Sequence, residues 1–247
     1  MGFVWMLNWD RWKRVRRANE LLIYWCRLGL WILNVQVNPI DEEDIAHVRS
    51  GLYAGNHLSY LDVLVIASRI PACFVTSMEV KRAPLLGQIV TMAGCLFVDR
   101  QSRANLRSEV KDLTDALAAG LNVAVFPEAT STNGEQVLRF KRPLYMAAVT
   151  SGRPVVPFCL NYHTVGGAQI NQVTRDKVFW YGDMDFAPHL WAMAGAGGIV
   201  VDLHFLKPLQ AELSEGPAEL AEKSRSSIEK VFKPVPKDEG LHSAGLR

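Results

Sequence analysis

The pattern of apolar and polar positions changes character once along the chain, near residue 38. Before that point the two kinds of residue are segregated. A basic stretch, RWKRVRR (Arg11 to Arg17), is followed by an almost unbroken apolar one, LLIYWCRLGLWILNVQV (Leu21 to Val37). From about Asn38 onward, short apolar runs alternate with amphipathic stretches, as in an α/β domain. The runs predict strands at Gly51–Ala54, Ala72–Ser77, Cys95–Val98, Val123–Phe126, Val155–Leu160, Lys177–Tyr181 and Ile199–Phe205, several rich in Val, Phe or Tyr. The clearest helix is Arg103–Ala119, where Leu106, Val110, Leu113 and Leu117 recur at helical spacing and Gly120 supplies the stop. Shorter helices are expected at Asp62–Ser68, Pro84–Met92 and Pro143–Thr150, and an exposed one at Pro217–Phe232 before a mobile tail. Helices alternating with strands imply crossover connections. The expected fold is therefore α/β, a mixed, largely parallel sheet flanked by helices. The expected division is a membrane-associating helical segment at 1–37, a central domain at 38–210, and a C-terminal helix and tail at 211–247.

The membrane reading of the first segment rests on what its apolar run is mixed with. Five of the seven tryptophans (Trp5, Trp9, Trp12, Trp25, Trp31) fall there, and Trp favours the headgroup boundary. Basic residues beside an anionic leaflet add up to about 1 kcal/mol each. The run is shorter than the about 20 residues a spanning helix needs, and Arg27 interrupts it. NVQVNPIDEED after it lacks the small residues of a signal-peptide cleavage site. An interfacial helix, peripheral or monotopic, is expected; the alternative is an ordinary helix packed on the domain.

Composition narrows the function classes. At 49% hydrophobic and 21% charged, the chain is neither disordered nor a multi-span membrane protein. A net charge of +2 argues against nucleic acid as the partner. Cys26, Cys73, Cys95 and Cys159 are irregularly spaced in apolar stretches, without metal-ligand spacing. Reduced, buried thiols and no metal are expected, and with them a cytoplasmic setting.

The chemistry-bearing segment is NHLSYLD, Asn56 to Asp62, directly after the GLYAG strand. Loops leaving strand ends are where α/β folds place reactive groups. His57 can act as a base near neutral pH, and a carboxylate five residues on can fix its tautomer. In a continuous helix five residues turn about 500°, which leaves the two side chains about 140° apart. They meet only if His57 lies in a bend and Asp62 in the first helical turn. Ser59 followed by Asp62 reads as an N-cap with its capping-box partner, so Asp62 has a purely structural reading too.

Three later blocks carry further candidates. GCLFVDR (Gly94 to Arg100) ends a strand with Arg100, whose guanidinium suits a phosphate. FPEATSTNG (Phe126 to Gly134) crowds Glu128, Thr130, Ser131, Thr132 and Asn133 into a loop, suited to an anion or equally to a polar turn. FKRPLYMAAV places Lys141 and Arg142 before a helix, RPVVPF opens another strand, and Lys81 with Arg82 adds charge upstream.

In their order, NHLSYLD, GCLFVDR, FPEATSTNG and RPVVPF resemble the four motifs of the PlsC-type glycerolipid acyltransferase family, over about Gly51 to Leu160. The resemblance implies a catalytic pair, His57 and Asp62. It implies acceptor binding by Arg100, Glu128 and Thr130, with Ser131 and Lys81 added as substrate-binding candidates. It also implies acyl-CoA or acyl-carrier protein as donor substrate, with no cofactor, and a lysolipid hydroxyl as acceptor, first of all that of 1-acyl-sn-glycerol-3-phosphate. The third motif departs from its usual PEGT followed by Arg: Ala129 stands for the glycine and Ser131 follows Thr130. If the backbone there needs φ > 0, Ala129 is strained by roughly 1 kcal/mol or more. The Trp180 to Trp191 segment looks like one in bacterial relatives that acylate lyso-ornithine lipids, which keeps a phosphate-free acceptor open. Two other classes remain: a lipid-binding protein on an inactive fold, and a thioester hydrolase. The absence of GxSxG or a comparable nucleophile setting favours direct transfer over a covalent acyl-enzyme.

Overall fold

Helix α1 (Arg11–Ile32) takes up most of the apolar run, and the chain then reverses through Asn34, whose φ is 53°. The computed structural model describes residues 11–82, 86–99, 105–210 and 216–235. Strand β1 (Val35–Ile40) follows, then β2 (Leu52–Gly55), α2 (Leu61–Ala67), β3 (Ala72–Ser77), α3 (Met78–Arg82), α4 (Leu86–Met92), β4 (Leu96–Val98), α5 (Leu106–Ala118) and β5 (Asn122–Val125). The chain continues with α6 (Tyr145–Ser151), β6 (Val155–Val165), β7 (Ala168–Gln169), α7 (Phe186–Ala194), β8 (Ile199–Phe205) and α8 (Pro217–Glu229).

The strands form one sheet in the order β1-β8-β6-β2-β5-β3-β4, with β7 paired to β6. Pairing is parallel from β6 through β2, β5 and β3 to β4, antiparallel between β6 and β8, and parallel again between β8 and β1. The mixed, largely parallel sheet read from the sequence is therefore the one observed. Alternate residues feed two cores. Tyr53, Ala124 and Phe158 face the layer that holds α1 and α2, while Leu52, Val123 and Val155 face α5, α6 and α8. Burial on both faces explains why these strands read as continuous apolar runs.

Three expectations change. VQV, read as the end of the N-terminal segment, opens β1, which is paired along its whole length with β8. The sheet thus begins before residue 38, and Pro39 is tolerated because β1 is an edge strand. Lys177–Tyr181 is not a strand. A 3₁₀ turn (Arg175–Lys177) leads into a loop that buries Val178 and Phe179, and the Trp180 N–H goes to Leu58 O at 2.9 Å rather than to a ladder. Helix α8 is not simply exposed, because Leu220, Ala221, Ser224 and Ile228 are buried against the sheet.

The topology decides where chemistry can sit. The carboxyl ends of β2, β5 and β6 lie at one edge of the sheet, and the loops leaving adjacent β2 and β5 meet there. Antiparallel β8, and β1 with it, brings its amino end to that edge. The carboxyl end of α1, including exposed Trp31 and Ile32, therefore arrives beside it.

Candidate active site

Asn56 anchors the loop after β2. Its side chain accepts from Leu160 N–H (2.8 Å) and donates to Leu160 O (3.0 Å), stapling the loop to β6. The chain then bends, and α2 starts at Leu61 with Asp62 in its first turn. The bend does what the spacing required: His57 Nδ1 lies 2.8 Å from Asp62 Oδ2.

The capping and catalytic readings of Asp62 turn out to be the same arrangement. Oδ2 accepts from Leu58 N–H (2.7 Å) and Ser59 N–H (2.9 Å) as well as from the imidazole, while Oδ1 accepts from the Tyr162 hydroxyl at 2.6 Å. Ser59 Oγ accepts in turn from Leu61 N–H at 3.3 Å. Four donors converge on a carboxylate with no solvent exposure. A carboxylate held this way only accepts, so Nδ1 carries the proton and Nε2 presents its lone pair. Nε2 has no hydrogen-bond partner among the described residues, and the side chain keeps 18% exposure. The ring stacks on Phe126 with centroids 4.1 Å apart, and Phe126 meets Phe158 edge-on. A Cβ on Gly55 would come within 2.1 Å of Phe158, so glycine is required where that ring crosses β2.

Glu128 arrives from the loop after β5. Its Oε1 accepts from His57 N–H and its Oε2 from Leu138 N–H, both at 2.8 Å. Burial pushes its carboxyl up to about 7, against the lowering effect of those two amides. The expectation that Glu128 grips the acceptor meets a different geometry, in which both oxygens hold backbone and the residue braces the His57 loop. A second tie joins the loops, Thr132 N–H to His57 O at 2.9 Å.

The remaining candidates are spread more widely. Thr130 is exposed, its hydroxyl donating to Ser131 O at 3.3 Å, and Ser131 follows it in the same loop. Lys81 lies over the Phe97 ring at 4.5 Å and lines a neighbouring cleft of about 570 Å³ with Arg11. Arg100 lies outside the described residues. Ala129 has φ of 61°, the left-handed region, so the strain foreseen for an alanine here applies. Ala129→Gly should stabilise the protein by about 0.5–1 kcal/mol, the relief of strain less the entropy glycine adds to the unfolded chain. Denaturant unfolding of both proteins measures it, and an unchanged or lower midpoint would contradict it.

Sequence reasoning missed three supports. Tyr162 sits four residues past the RPVVPF block on β6, and nothing in the linear order pairs it with Asp62. Asn56 was read only as part of the motif. Tyr60 donates to His189 Nδ1 (2.9 Å), whose Nε2–H donates to Phe179 O (3.0 Å), so α7 is tied to the catalytic loop. The four cysteines are free, and burial raises their thiol pKa values, Cys26 and Cys73 to about 11 and Cys95 to about 12. None is suited to act as a thiolate nucleophile.

Comparison with known proteins agrees with the fold and with the family that the ordered blocks resemble. The family described as Acyltransferase matches residues 36–161, half of the chain. The lyso-ornithine lipid O-acyltransferase of Rhizobium meliloti (strain 1021) is 29% identical over 201 residues, which cover 78% of this chain and 68% of that one. The 1-acyl-sn-glycerol-3-phosphate acyltransferase of Neisseria gonorrhoeae is 29% identical over 185 residues, covering 75% and 70%. The crystal structure of the 1-acyl-sn-glycerophosphate acyltransferase PlsC from Thermotoga maritima shares the fold, with a TM-score of 0.61 at 21% identity over 96% of this chain and 90% of that one. With the ordered motifs, the matched region and the shared fold in agreement, the chain belongs to the PlsC-type acyltransferase family and is a lysolipid acyltransferase.

Proposed function

We propose that the chain moves a fatty acyl group from an acyl thioester, acyl-CoA or acyl-carrier protein, to the free hydroxyl of 1-acyl-sn-glycerol-3-phosphate. The observation that carries the reading is the 2.8 Å contact of His57 Nδ1 with buried Asp62, which leaves Nε2 turned to the site as a base. Nε2 takes the hydroxyl proton as the oxygen attacks the thioester carbonyl. The tetrahedral intermediate collapses with cleavage of the C–S bond, and the proton passes from the imidazolium to the departing thiolate. Asp62 stabilises the imidazolium in between. Purified protein with a thioester donor and a panel of lysolipids tests this, following thiol release and acylated product together. Lysolipid-dependent release with matching product is expected. Release without lysolipid would mark a hydrolase, and binding without release an inactive lipid-binding protein.

Acylation of lyso-ornithine lipid is the second reading. It is favoured by Ser131 in place of the arginine after Thr130 and by the relatives with that activity in Rhizobium meliloti and Brucella abortus (strain 2308).

Membrane association at the cytoplasmic face belongs to the same proposal. Among the described residues, no helix is long and apolar enough to cross a membrane. Helix α1 buries Asn19, Cys26 and Leu30 and exposes Leu21, Tyr24, Trp25, Leu28, Trp31 and Ile32 on its outer face, so it both packs and offers an apolar stripe. The basic cluster is narrower in effect than its sequence. Arg16 donates to Ala119 O and Gly120 O, Arg11 approaches Asp112 at 3.9 Å, and Arg17 pairs with Glu20. Lys13 and Arg14 have no ion-pair partner among the described residues and face solvent. Neutralising these two should weaken sedimentation with anionic liposomes by up to about 1 kcal/mol each. Replacing Trp25 and Trp31 by Ser should weaken it on neutral liposomes as well. Unchanged binding in both sets would remove α1 from the membrane contact.

A further inference from the structure

Arg139, Lys141 and Arg142 crowd a four-residue stretch and are all exposed. None makes a side-chain hydrogen bond or ion pair with another described residue, whereas Arg16, Arg27, Arg69, Arg175 and Arg225 all do. Three like charges this close repel one another, and an anion brought among them relieves that repulsion.

Their backbone is fixed to the catalytic loops. Leu138 N–H donates to Glu128 Oε2 and Lys141 N–H to Pro127 O at 2.9 Å, and Glu128 also holds His57 N–H. One carboxylate thus joins the loop that carries the base to the segment that carries the cations. All three cations line a cleft of about 660 Å³ that reaches Phe126, the ring stacked on His57, and Ala129. The same cleft is walled by Val75, Val98, Leu106 and Val125. Its two acids, Asp99 and Glu109, belong to the β4–α5 side, where Glu109 Oε1 accepts from Asp99 N–H at 2.6 Å.

We propose that this cleft is a phosphate site, in which Arg139, Lys141 and Arg142 hold the phosphate of an amphiphilic substrate whose apolar chain lies along the Val and Leu wall. The cations stand one loop away from Ser131, so the phosphate grip absent after Thr130 is supplied from the segment hydrogen-bonded to it. The proposal rests on the acyl-transfer reading for its substrates. Two share the chemistry: the glycerophosphate headgroup of the acceptor, and the phosphates of the coenzyme A portion of the donor.

Direct binding separates the sources, and it also separates this proposal from the reaction. Short-chain lysophosphatidic acid and coenzyme A are each titrated calorimetrically into wild-type protein and into the R139Q/K141Q/R142Q variant. The three residues are exposed, so the variant should melt within a few degrees of wild type, and each single substitution serves if it does not. A tenfold or greater loss of affinity for lysophosphatidic acid alone places the acceptor there. The same loss for coenzyme A alone places the donor there. In either case wild-type affinity should fall as salt is raised, and the variant's should fall less. Affinities within twofold of wild type for both ligands would overturn the site. Wild-type protein that binds either ligand but transfers no acyl group would count against the acyl-transfer reading and leave the phosphate site standing.

Discussion

His57→Ala should reduce acyl transfer by at least about 10²–10⁴-fold while leaving the protein folded. The loss falls on kcat, because the imidazole acts on the hydroxyl as it attacks and contributes little to ground-state binding. Folding survives because the main chain of residue 57 does the structural work. Its N–H is held by Glu128 and its carbonyl by Thr132, and neither bond involves the ring. Asp62 loses one donor of four and keeps Leu58 N–H, Ser59 N–H and the Tyr162 hydroxyl. Transfer kinetics beside a thermal melt check both halves. A His57→Ala protein that melts normally and still transfers at wild-type rate would remove the histidine from the chemistry.

Much of the fold was legible because its strands are short, apolar and separated by amphipathic helices. Ala72–Ser77 and Ile199–Phe205 fall where the pattern put them, as β3 and β8. The failures share one cause, which is that hydrophobicity reports burial rather than geometry. Val35–Ile40 continues the apolar run of α1, and only the turn at Asn34 divides helix from strand. Val178 and Phe179 are as buried as any strand residue, yet they lie in a loop: their amides turn back to Arg175 O, and the next one, of Trp180, goes to Leu58 O in the catalytic segment. The α7 segment, FAPHLWAMA, is apolar almost all round and gave no clear helical period.

The site was legible where its groups are close in sequence. The His57–Asp62 pair follows from five-residue spacing and one bend. Groups that converge from different strands were not, because β2, β5 and β6 become neighbours only through the crossovers. Glu128 was found as a residue, but its partners, His57 N–H and Leu138 N–H, are main-chain atoms that a motif does not display. Tyr162 lies 100 positions from Asp62. It reaches the carboxylate because Val156, Phe158, Leu160 and Tyr162 alternate onto the α2 side of the sheet before the irregularity between Tyr162 and Thr164.

Asp62→Asn should cost about 10²–10⁴-fold in kcat with KM changed only a few-fold, and it should do so without unfolding the protein. An asparagine carbonyl in the place of Oδ2 still accepts from Nδ1–H, Leu58 N–H and Ser59 N–H. Its amide in the place of Oδ1 can donate to the Tyr162 oxygen, reversing a hydrogen bond that is now 2.6 Å long. The hydrogen bonds are kept in number and the negative charge is lost, so the imidazolium formed during attack has nothing to balance it. Asp62→Ala is the contrast. It strands two buried amides and a hydroxyl at about 1–3 kcal/mol each, a large part of the stability of a domain this size, and should fold poorly. Tyr162→Phe falls between them: it removes one donor to the carboxylate and should lower kcat by up to about tenfold, with a stability loss of about 1.5–3 kcal/mol. Melting curves and steady-state kinetics on the three variants separate charge from scaffold. If Asp62→Asn kept wild-type turnover while Asp62→Ala unfolded, Asp62 would be a capping residue alone, and His57 would work without its support.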